Sequence, residues 1–176
     1  MKEKKTIIEL TTTTIEEYRE RRKRPLSLLA DNVRSRHNIG SFFRTSDAFL
    51  VEEIILCGIS ATPPDNEIAK TALGAEESVK WRYADDSLEE VKRLKGKGKK
   101  ICVLEQAHDS VMLREFMPED GEDYVLVVGN EVEGVNQKIV NLADVIIEIP
   151  QNGIKHSLNV SVSAGIALWE LSSKMK

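Results

Sequence analysis

The sequence has few of the residues that build metal centres and disulfide frameworks. It contains two cysteines, Cys57 and Cys102, three histidines and no CxxC motif. Each cysteine lies inside a short apolar run, IILCG or ICVL, so we expect two buried thiols and neither ligands nor bridges. The composition therefore predicts a protein without a metal and favours the cytoplasm as its compartment.

Long apolar runs and an excess of positive charge are also missing. No stretch approaches the roughly 18 apolar residues of a membrane span. The start, MKEKKTIIEL, has no apolar core of signal-peptide length. A formal net charge of −4 argues against a protein that coats nucleic acid indiscriminately. With 176 residues, of which 41% are hydrophobic, we expect one globular domain and no membrane partner.

Two short segments nevertheless concentrate positive charge. Residues 92–100, KRLKGKGKK, hold six cations and no anion, and residues 21–24 read RRKR. Such clusters are found at solvated helix ends and linkers, and they are also found where a protein contacts a phosphate backbone. Charge alone leaves both interpretations open.

Apolar runs and amphipathic stretches alternate along the chain, which is typical of an α/β protein with a mostly parallel sheet flanked by helices. Residues 124–128 lack polar alternation, so we expect that strand to be covered on both faces. The strands are predicted at Leu26–Val33, Val51–Gly58, Lys100–Leu104, Tyr124–Val128 and Val145–Ile149. The helices are predicted at Ile15–Lys23, Ile39–Leu50, Ser87–Leu94, Val111–Glu115 (a single turn), Asn136–Ala143 and Leu158–Ser173.

Polar residues gather in three segments that follow predicted strands, at the edge where open α/β sheets bind ligands. In the first, NVRSRHNIGSFFR, Asn38 is expected to cap the helix that carries Arg44. In the second, VVGNEVEGV, Gly129 lets a ligand approach the backbone and Glu131 follows on the loop. In the third, Ser157 and Asn159 stand where a loop gives way to the last helix. A plain helix cap, a surface arginine or an ordinary turn explains each segment equally well by itself.

The last predicted helix has two unlike surfaces. Its larger apolar residues fall near one stripe, and its other surfaces carry small residues, which let another backbone approach closely. We therefore expect a tightly packed or intermolecular contact there. The stripe consists of Leu158, Val162, Ile166 and Trp169, and the small residues are Ser161, Ser163, Ala164, Gly165 and Ala167.

Taken in order, three stretches of the chain resemble the three motifs of a known family. They are HNIGSFFRTSDAF (37–49), LVVGNEVEGV (126–135) and IPQNGIKHSLNVSVSAGIALWEL (149–171). These motifs are similar to those of the SpoU, or TrmH-like, RNA ribose 2′-O-methyltransferases of the SPOUT class. The similarity covers about residues 27–171 in the expected order and spacing.

The resemblance implies features that periodicity alone does not predict. It implies that the C-terminal part of the α/β domain threads into a trefoil knot, a very rare topology. It also implies a homodimer and S-adenosylmethionine as cofactor, bound in the knot largely through backbone groups. The cofactor-binding positions implied are Leu104, Glu105, Gly129, Ile149 and Leu158.

The same resemblance implies a catalytic set, namely Asn38, Arg44, Glu131, Ser157 and Asn159. Because a guanidinium effectively always keeps its proton, we expect Arg44 to stabilise charge growing on the ribose oxygen. Asn38 would orient Arg44 or the ribose, and Glu131 would fix Arg44 or the nucleotide. Ser157 and Asn159 would hold the RNA and the cofactor-binding loop.

The expected substrate is tRNA or rRNA, with tRNA slightly favoured. Residues 1–24 are predicted to form an N-terminal extension with a short basic helix, and residues 25–176 to form the SpoU-type methyltransferase domain. Members of the family often carry a further RNA-binding domain or terminal helices, so the basic arm is the candidate replacement here. The predicted RNA-binding residues are Arg21, Arg22, Lys23, Arg24 and Arg44. The alternatives are a non-catalytic RNA-binding protein with the same fold and a methyltransferase with a different substrate.

Overall fold

A seven-stranded parallel sheet forms the centre of the protein. The computed structural model describes residues 2–6, 9 and 13–175. The strands are β1 (Leu26–Asp31), β2 (Ile54–Cys57), β3 (Trp81–Ala84), β4 (Lys100–Leu104), β5 (Val111–Met112), β6 (Tyr124–Val128) and β7 (Val145–Glu148). Their order is β3-β2-β1-β6-β4-β7-β5, and every neighbouring pair is parallel. The predicted α/β class with a parallel sheet is confirmed.

Both faces of the sheet are covered, which explains the unbroken apolar runs of the central strands. All six residues of β1 are buried. Successive side chains of a strand point to opposite faces, and here Leu28 and Leu29 belong to two separate hydrophobic clusters. Leu126 and Val127 of β6 divide in the same way. Two apolar layers therefore hold the sheet from opposite sides.

Helices supply the two covering layers. The helices are α1 (Ile15–Glu20), α2 (Arg36–Ala48), α3 (Asn66–Ala72), α4 (Ala75–Ser78), α5 (Ser87–Gly96), α6 (Gln137–Val140) and α7 (Val160–Lys174). Phe42 of α2 and Leu168 of α7 pack in one cluster, whereas Val91 of α5 and Ile139 of α6 pack in the other. Within the described residues, no helix is both long and apolar enough to cross a bilayer.

The short α1 docks against the body of the protein. Thr14 caps it through a capping box with Glu17. Arg19 Nη2 donates to the Glu77 carbonyl at 2.6 Å, and Arg24 Nη1 donates to the Met175 carbonyl at 2.7 Å. Residues 1, 7, 8 and 10–12 of the predicted extension lie outside the described residues. The division into residues 1–24 and 25–176 stays a prediction.

Two local predictions are wrong. Asn38 does not cap α2, because Ser35 is the cap and its side chain accepts from the Asn38 amide. Residues 111–112 form the edge strand β5 and not helix, because they pair with β7 in a ladder that continues as the Leu113 amide donates to the Glu148 carbonyl. Pairing with a strand more than thirty residues away is a tertiary effect that local pattern does not reveal.

Because all the strands are parallel, their carboxyl-terminal ends lie at the same edge of the sheet, here called the carboxyl edge. The loops after β1, β4, β6 and β7 all leave the sheet at this edge, and the basic run of residues 92–100 lies at the opposite, amino edge, where β4 begins. Open α/β sheets bind ligands at the carboxyl edge. The threading of the C-terminal segment through a knot remains an implication of the resemblance.

Candidate functional site

The carboxylate of Glu131 joins the loop after β6 to the loop after β1. Glu131 Oε2 accepts from the Arg34 amide at 2.9 Å, and Oε1 accepts from the Ser35 amide, also at 2.9 Å. Oε1 takes a third hydrogen bond, at 2.9 Å, from Asn38 Nδ2. Asn38 is in the first turn of α2, so it can reach this carboxylate only because the helix begins earlier than the sequence suggests.

Asn159 adds the third segment to this group. It caps α7, where its Oδ1 accepts from the Ser161 and Val162 amides. Its Nδ2 donates to Asn38 Oδ1 at 3.2 Å. The chain of hydrogen bonds therefore runs from Glu131 through Asn38 to Asn159 and links all three motifs. Ser157 lies two residues before this cap and faces the same cavity, described below.

Glu131 is held as a carboxylate. Partial burial raises the pKa of its carboxyl group, but the hydrogen bonds from the Arg34 and Ser35 amides and from Asn38 outweigh burial. The net pKa lies below its usual range. A carboxylate with a lowered pKa that already accepts three hydrogen bonds is a weak proton acceptor. Glu131 is therefore suited to holding the two loops in position and not to acting as a general base.

The loop after β6 is further fixed by residues that the sequence analysis missed. Asn130 Nδ2 donates to the Asn32 carbonyl at 2.9 Å. Asn130 and Gly134 exchange two backbone hydrogen bonds of 3.0 Å each, and Gly134 has φ of 71°. Asn32 also has a positive φ, 55°, which asparagine tolerates better than most residues. Asparagine is one of the residues that favour turns with a positive φ, so the Asn at position 32 is a sequence signal that could have identified this turn.

Asp31, at the end of β1, is a second missed residue. Its side chain is buried, and its carboxylate accepts from Asn32 Nδ2 at 2.8 Å and Ser87 Oγ at 2.6 Å. It also accepts from the Asn136 amide at 2.8 Å. A buried carboxylate needs such donors to offset its lost hydration. Asp31 thereby ties the far end of the loop after β6 to the sheet.

A cavity of about 540 Å³ opens between the loops after β4, β6 and β7. Its volume lies within the roughly 300–1,000 Å³ of small-molecule sites. All five positions predicted for the cofactor line it, namely Leu104, Glu105, Gly129, Ile149 and Leu158. The Glu105 side chain is engaged in holding the wall, because it accepts from the Gln106 amide at 3.0 Å and the Val135 amide at 3.2 Å.

The chemistry of the cavity wall fits S-adenosylmethionine held through backbone groups. Within the described part of the chain, residues 149–158 make no backbone–backbone hydrogen bond outside the strand ladders, so their amides and carbonyls, apart from the His156 carbonyl, are open to a ligand. Gln106 Nε2 donates to the His156 carbonyl at 3.0 Å and anchors this loop to the loop after β4. At Gly129, a Cβ would overlap the backbone of Gly134 and Val135, so only glycine closes the wall here.

Arg44 stands apart from the other predicted catalytic residues. Of the alternatives expected for Asn38 and Glu131, direct contact with Arg44 is absent, because their hydrogen bonds go to other groups; contact with the ribose or the nucleotide stays a prediction. Six residues of helix rotate by about 240° and rise by about 9 Å, so Asn38 and Arg44 face different directions from α2. The Arg44 side chain is exposed and makes no hydrogen bond or ion pair with the described residues. The structure thus brings four of the five residues to one place and leaves Arg44 free on a neighbouring surface.

The predicted basic arm is partly engaged within the chain. Arg21 donates to Thr13 Oγ1 at 2.6 Å, and Lys23 lies over the Tyr18 ring with its Nζ 3.3 Å from the ring centroid. Arg24 is bonded to the Met175 carbonyl, as described above. Arg22 is exposed and has no side-chain partner among the described residues. Of the four arm cations, Arg22 is therefore the one whose hydrogen-bond donors are all uncommitted among the described residues.

Other chemistries find little support. Over residues 2–6, 9 and 13–175, no three or more His, Cys, Asp or Glu side chains form a group that could hold a metal ion. Cys57 and Cys102 are buried, as predicted. Burial raises the pKa of the Cys57 thiol to about 12 and that of Cys102 above its usual range, so neither is a reactive thiolate.

Comparison with known proteins gives the same assignment as the geometry. The model of the SpoU rRNA Methylase family matches residues 25–169. A tRNA (guanosine(18)-2'-O)-methyltransferase of Aquifex aeolicus is 36% identical over an alignment of 172 positions, which covers 93% of this chain and 76% of that protein.

Solved structures agree. The A. aeolicus TrmH/SpoU tRNA modifying enzyme superposes with a TM-score of 0.80 at 32% identity, covering 91% of this chain and 80% of its own. An AdoMet-bound rRNA methyltransferase from Sinorhizobium meliloti superposes with a TM-score of 0.77 at 25% identity; the match covers 87% of this chain and 58% of that one. The family model covers most of the chain, including the first two motifs and residues 149–169 of the third. The protein therefore belongs to the SpoU rRNA Methylase family.

Proposed function

We propose that the protein transfers a methyl group from S-adenosylmethionine to a ribose 2′-hydroxyl of RNA. The observation that carries this proposal is the chain of hydrogen bonds from Glu131 through Asn38 to Asn159, placed beside a cavity lined by the cofactor positions. The tRNA methyltransferase named above is the more similar relative, so tRNA is the favoured substrate and rRNA the alternative.

In this proposal some residues position the RNA and the cofactor, and Arg44 stabilises the charge that develops on the ribose oxygen. S-adenosylmethionine supplies a methyl group that is already activated by a positively charged sulfur. What remains for the protein is to align the ribose oxygen with that carbon and to stabilise the charge that develops on the oxygen. Arg44, exposed and permanently charged, supplies this stabilisation together with contact to the adjacent phosphate. The proton leaves to phosphate or water.

Asn38 and Asn159 act as a rigid support in this proposal. Asn38 uses its amide nitrogen on Glu131 and its amide oxygen on Asn159. Their arrangement fixes the start of α2 relative to the start of α7. Ser157, exposed two residues before the α7 cap, then has its hydroxyl free to hold the RNA at the mouth of the cavity.

We also propose that two copies associate through the outer face of α7. Val162, Ile166 and Trp169 lie on one side of this helix and are 51%, 39% and 57% exposed. The small residues Ala164 and Ala167 are fully buried within the chain, which agrees with the first of the two expected contacts, tight packing, and leaves the larger apolar residues for a second copy. An exposed apolar helix face next to the site suits a second copy, which presents the same face.

The oligomeric state tests this association. Ile166→Glu is expected to convert a dimer into a monomer in light scattering after size-exclusion chromatography. Ile59→Glu is the matched control, because Ile59 is 64% exposed on the turn after β2, away from α7. A wild-type monomer, or a dimer that survives Ile166→Glu, would contradict this interface.

Methyl transfer tests the main proposal. The protein is incubated with labelled cofactor and either unmodified tRNA transcripts or rRNA transcripts, and the digested nucleosides are identified by mass spectrometry. We expect label in a 2′-O-methylated nucleoside. Label in a base with the sugar untouched would overturn the 2′-O assignment. Calorimetry addresses the non-catalytic alternative, because an inactive RNA-binding relative would bind RNA without binding S-adenosylmethionine.

Several expectations from the sequence stay predictions. They are the cytoplasmic location, the absence of a required metal, the basic arm as an RNA contact and the division of the chain at residue 25.

A further inference from the structure

We propose that Arg34 and Lys155 bind phosphates of the RNA strand that carries the ribose to be methylated. This inference rests on the proposed function and extends it, since neither residue belongs to the catalytic set or the basic arm. Both lie on loops of the carboxyl edge: the Arg34 amide donates to Glu131, Lys155 adjoins His156, and Glu131 and His156 both line the cavity.

Arg34 has a fixed backbone and a free side chain. Its amide donates to Glu131 Oε2 at 2.9 Å, which holds the residue next to the chain of hydrogen bonds. Its guanidinium is exposed and has no partner among the described residues. Glu131, the adjacent carboxylate, already accepts three hydrogen bonds and is not paired with this guanidinium. An anchored arginine without an acidic partner is suited to an external anion.

Lys155 lies on the loop between β7 and α7, next to His156, which lines the cavity. Residues 152–159 are exposed, and Ile154, next to Lys155, is 92% exposed. The loop is anchored at its base, where Gln106 Nε2 donates to the His156 carbonyl at 3.0 Å. The Lys155 ammonium makes no ion pair or hydrogen bond with the described part of the protein. It therefore projects a free positive charge beside Ser157.

The free charge at this edge contrasts with the basic run at the amino edge. There, Lys92 pairs with Glu89, Arg93 with Glu90, Lys95 with Asp144 and Lys99 with Glu52. Ion pairs of this kind offset the attraction of the run for phosphate. In a protein of net charge −4, unpaired cations next to two residues that line the cavity, Glu131 and His156, are what a polyanionic strand would meet. A protein partner would have to occupy the mouth of the catalytic cavity itself, so RNA is the favoured occupant.

The test compares three single variants and one double variant that remove positive charge. Arg34→Gln, Lys155→Gln and the double variant probe the site, and Lys97→Gln is the control, because Lys97 is exposed and unpaired within the described residues but lies at the amino edge. The Kd for an unmodified tRNA transcript with guanosine at position 18 is measured over a series of salt concentrations. An rRNA transcript is used in its place if the methylation assay identifies rRNA as the substrate. KM and kcat for methyl transfer and the Kd for S-adenosylmethionine are measured in parallel.

Each site variant is expected to raise the RNA Kd by about threefold to tenfold. Each should also reduce the slope of log K against log salt by about 0.7–0.9. KM for RNA should rise while kcat and cofactor affinity stay near wild type, and Lys97→Gln should change none of these. An unchanged salt slope in the double variant, or an equal effect of Lys97→Gln, would overturn the inference.

The same data separate this inference from the proposed function. If wild-type protein binds RNA but transfers no methyl group, the proposed function fails and the salt slopes still decide the role of Arg34 and Lys155. If the wild type methylates RNA and the double variant binds it equally well, the proposed function stands and this inference fails. If the wild-type protein binds neither the tRNA transcript nor the rRNA transcript, both the proposed function and the inference about Arg34 and Lys155 are overturned.

Discussion

At the amino edge of the sheet, most charged side chains satisfy one another, whereas at the carboxyl edge carboxylates hold loops and several cations stay free. At the amino edge, Lys99 pairs with Glu52 and Lys95 pairs with Asp144. At the carboxyl edge, Asp31 and Glu131 take their hydrogen bonds mainly from backbone amides and side-chain amides. Asp31 and Glu131 are thus engaged in shaping loops, and the Arg34 guanidinium on the loop after β1 remains available to a ligand.

The difference between the two edges shows that the number of cations in a stretch of sequence does not predict where RNA binds. The run KRLKGKGKK is the densest basic stretch of the chain, yet four of its six cations have acidic partners. Arg34, Arg44 and Lys155 lie outside the two basic runs, but Arg34 is bonded to the cavity-lining Glu131, Lys155 adjoins the cavity-lining His156, and Arg44 is on α2. Where a cation's neighbours lie in space, and not its density along the chain, decides whether it can bind RNA.

The largest expected effect is the loss of methyl transfer on removal of Arg44. Arg44→Ala should lower the rate by about 10²–10³-fold, because one charge-stabilising donor at a developing oxyanion is worth about that much. Cofactor affinity by calorimetry should stay near wild type, since Arg44 does not line the cavity. Lys97→Ala at the amino edge is the control. Loss of cofactor binding in Arg44→Ala would show that this residue has been assigned the wrong role.

A pair of glycine substitutions compares the two edges directly. Gly129→Ala should abolish cofactor binding, because its Cβ would overlap the backbone of Gly134 and Val135 in the cavity wall. Gly96→Ala, near the amino edge at the end of α5, meets nothing within 4 Å and should change stability by less than about 1 kcal/mol. Calorimetry and thermal unfolding measure both variants. Normal cofactor affinity in Gly129→Ala would mean that the wall rearranges without cost.

Substitution of two buried carboxylates should distinguish an effect on the stability of the fold from an effect on cofactor binding. Asp31→Ala and Glu90→Ala each leave donors without an acceptor, and we expect each to destabilise the fold by about 2–4 kcal/mol in denaturant unfolding. Only Asp31→Ala should also weaken cofactor binding, because Asp31 holds the Asn136 amide at the end of the cavity loop. Equal cofactor affinities in the two folded variants would remove the special role of the carboxyl edge.

The smallest effect concerns Glu131 and pH. Because its folded-state pKa is lowered from a usual value of 4.5, its ionised form stabilises the protein above that pH, and this contribution is lost as pH falls through the lowered pKa. The stability difference between wild type and Glu131→Gln should therefore be present at pH 7 and shrink below about pH 4.5. Denaturant unfolding from pH 3 to 7 measures it, with Glu133→Gln as the control. A gap that widens in acid would contradict the hydrogen-bonded carboxylate.

The strongest sequence signals predicted the fold well. The apolar runs around β1, β4 and β6 were placed closely because both faces of these strands are buried, which leaves a clear pattern. The edge strand β5 was missed because two residues carry almost no pattern and depend on a distant partner. The start of α2 was placed three residues late because Ser35, and not Asn38, provides the cap.

For the site, sequence motifs predicted which segments meet but not how their atoms connect. The convergence of Glu131, Asn38 and Asn159 agrees with the expectation that three loops share one edge. The separation of Arg44 from Glu131 was not foreseen, because it depends on the rotation of α2 about its axis. The support from Asp31 and Asn130 was missed because both residues look like ordinary strand-end polar residues until their partners across the sheet are known.

Hydrogen–deuterium exchange of the full-length protein with and without bound tRNA transcript tests the comparison of the two edges most directly. We predict that RNA slows exchange in residues 32–44, 129–135 and 150–160, while residues 92–100 exchange at the same rate as in the free protein. Protection confined to residues 92–100, with the three carboxyl-edge segments unchanged, would contradict the account.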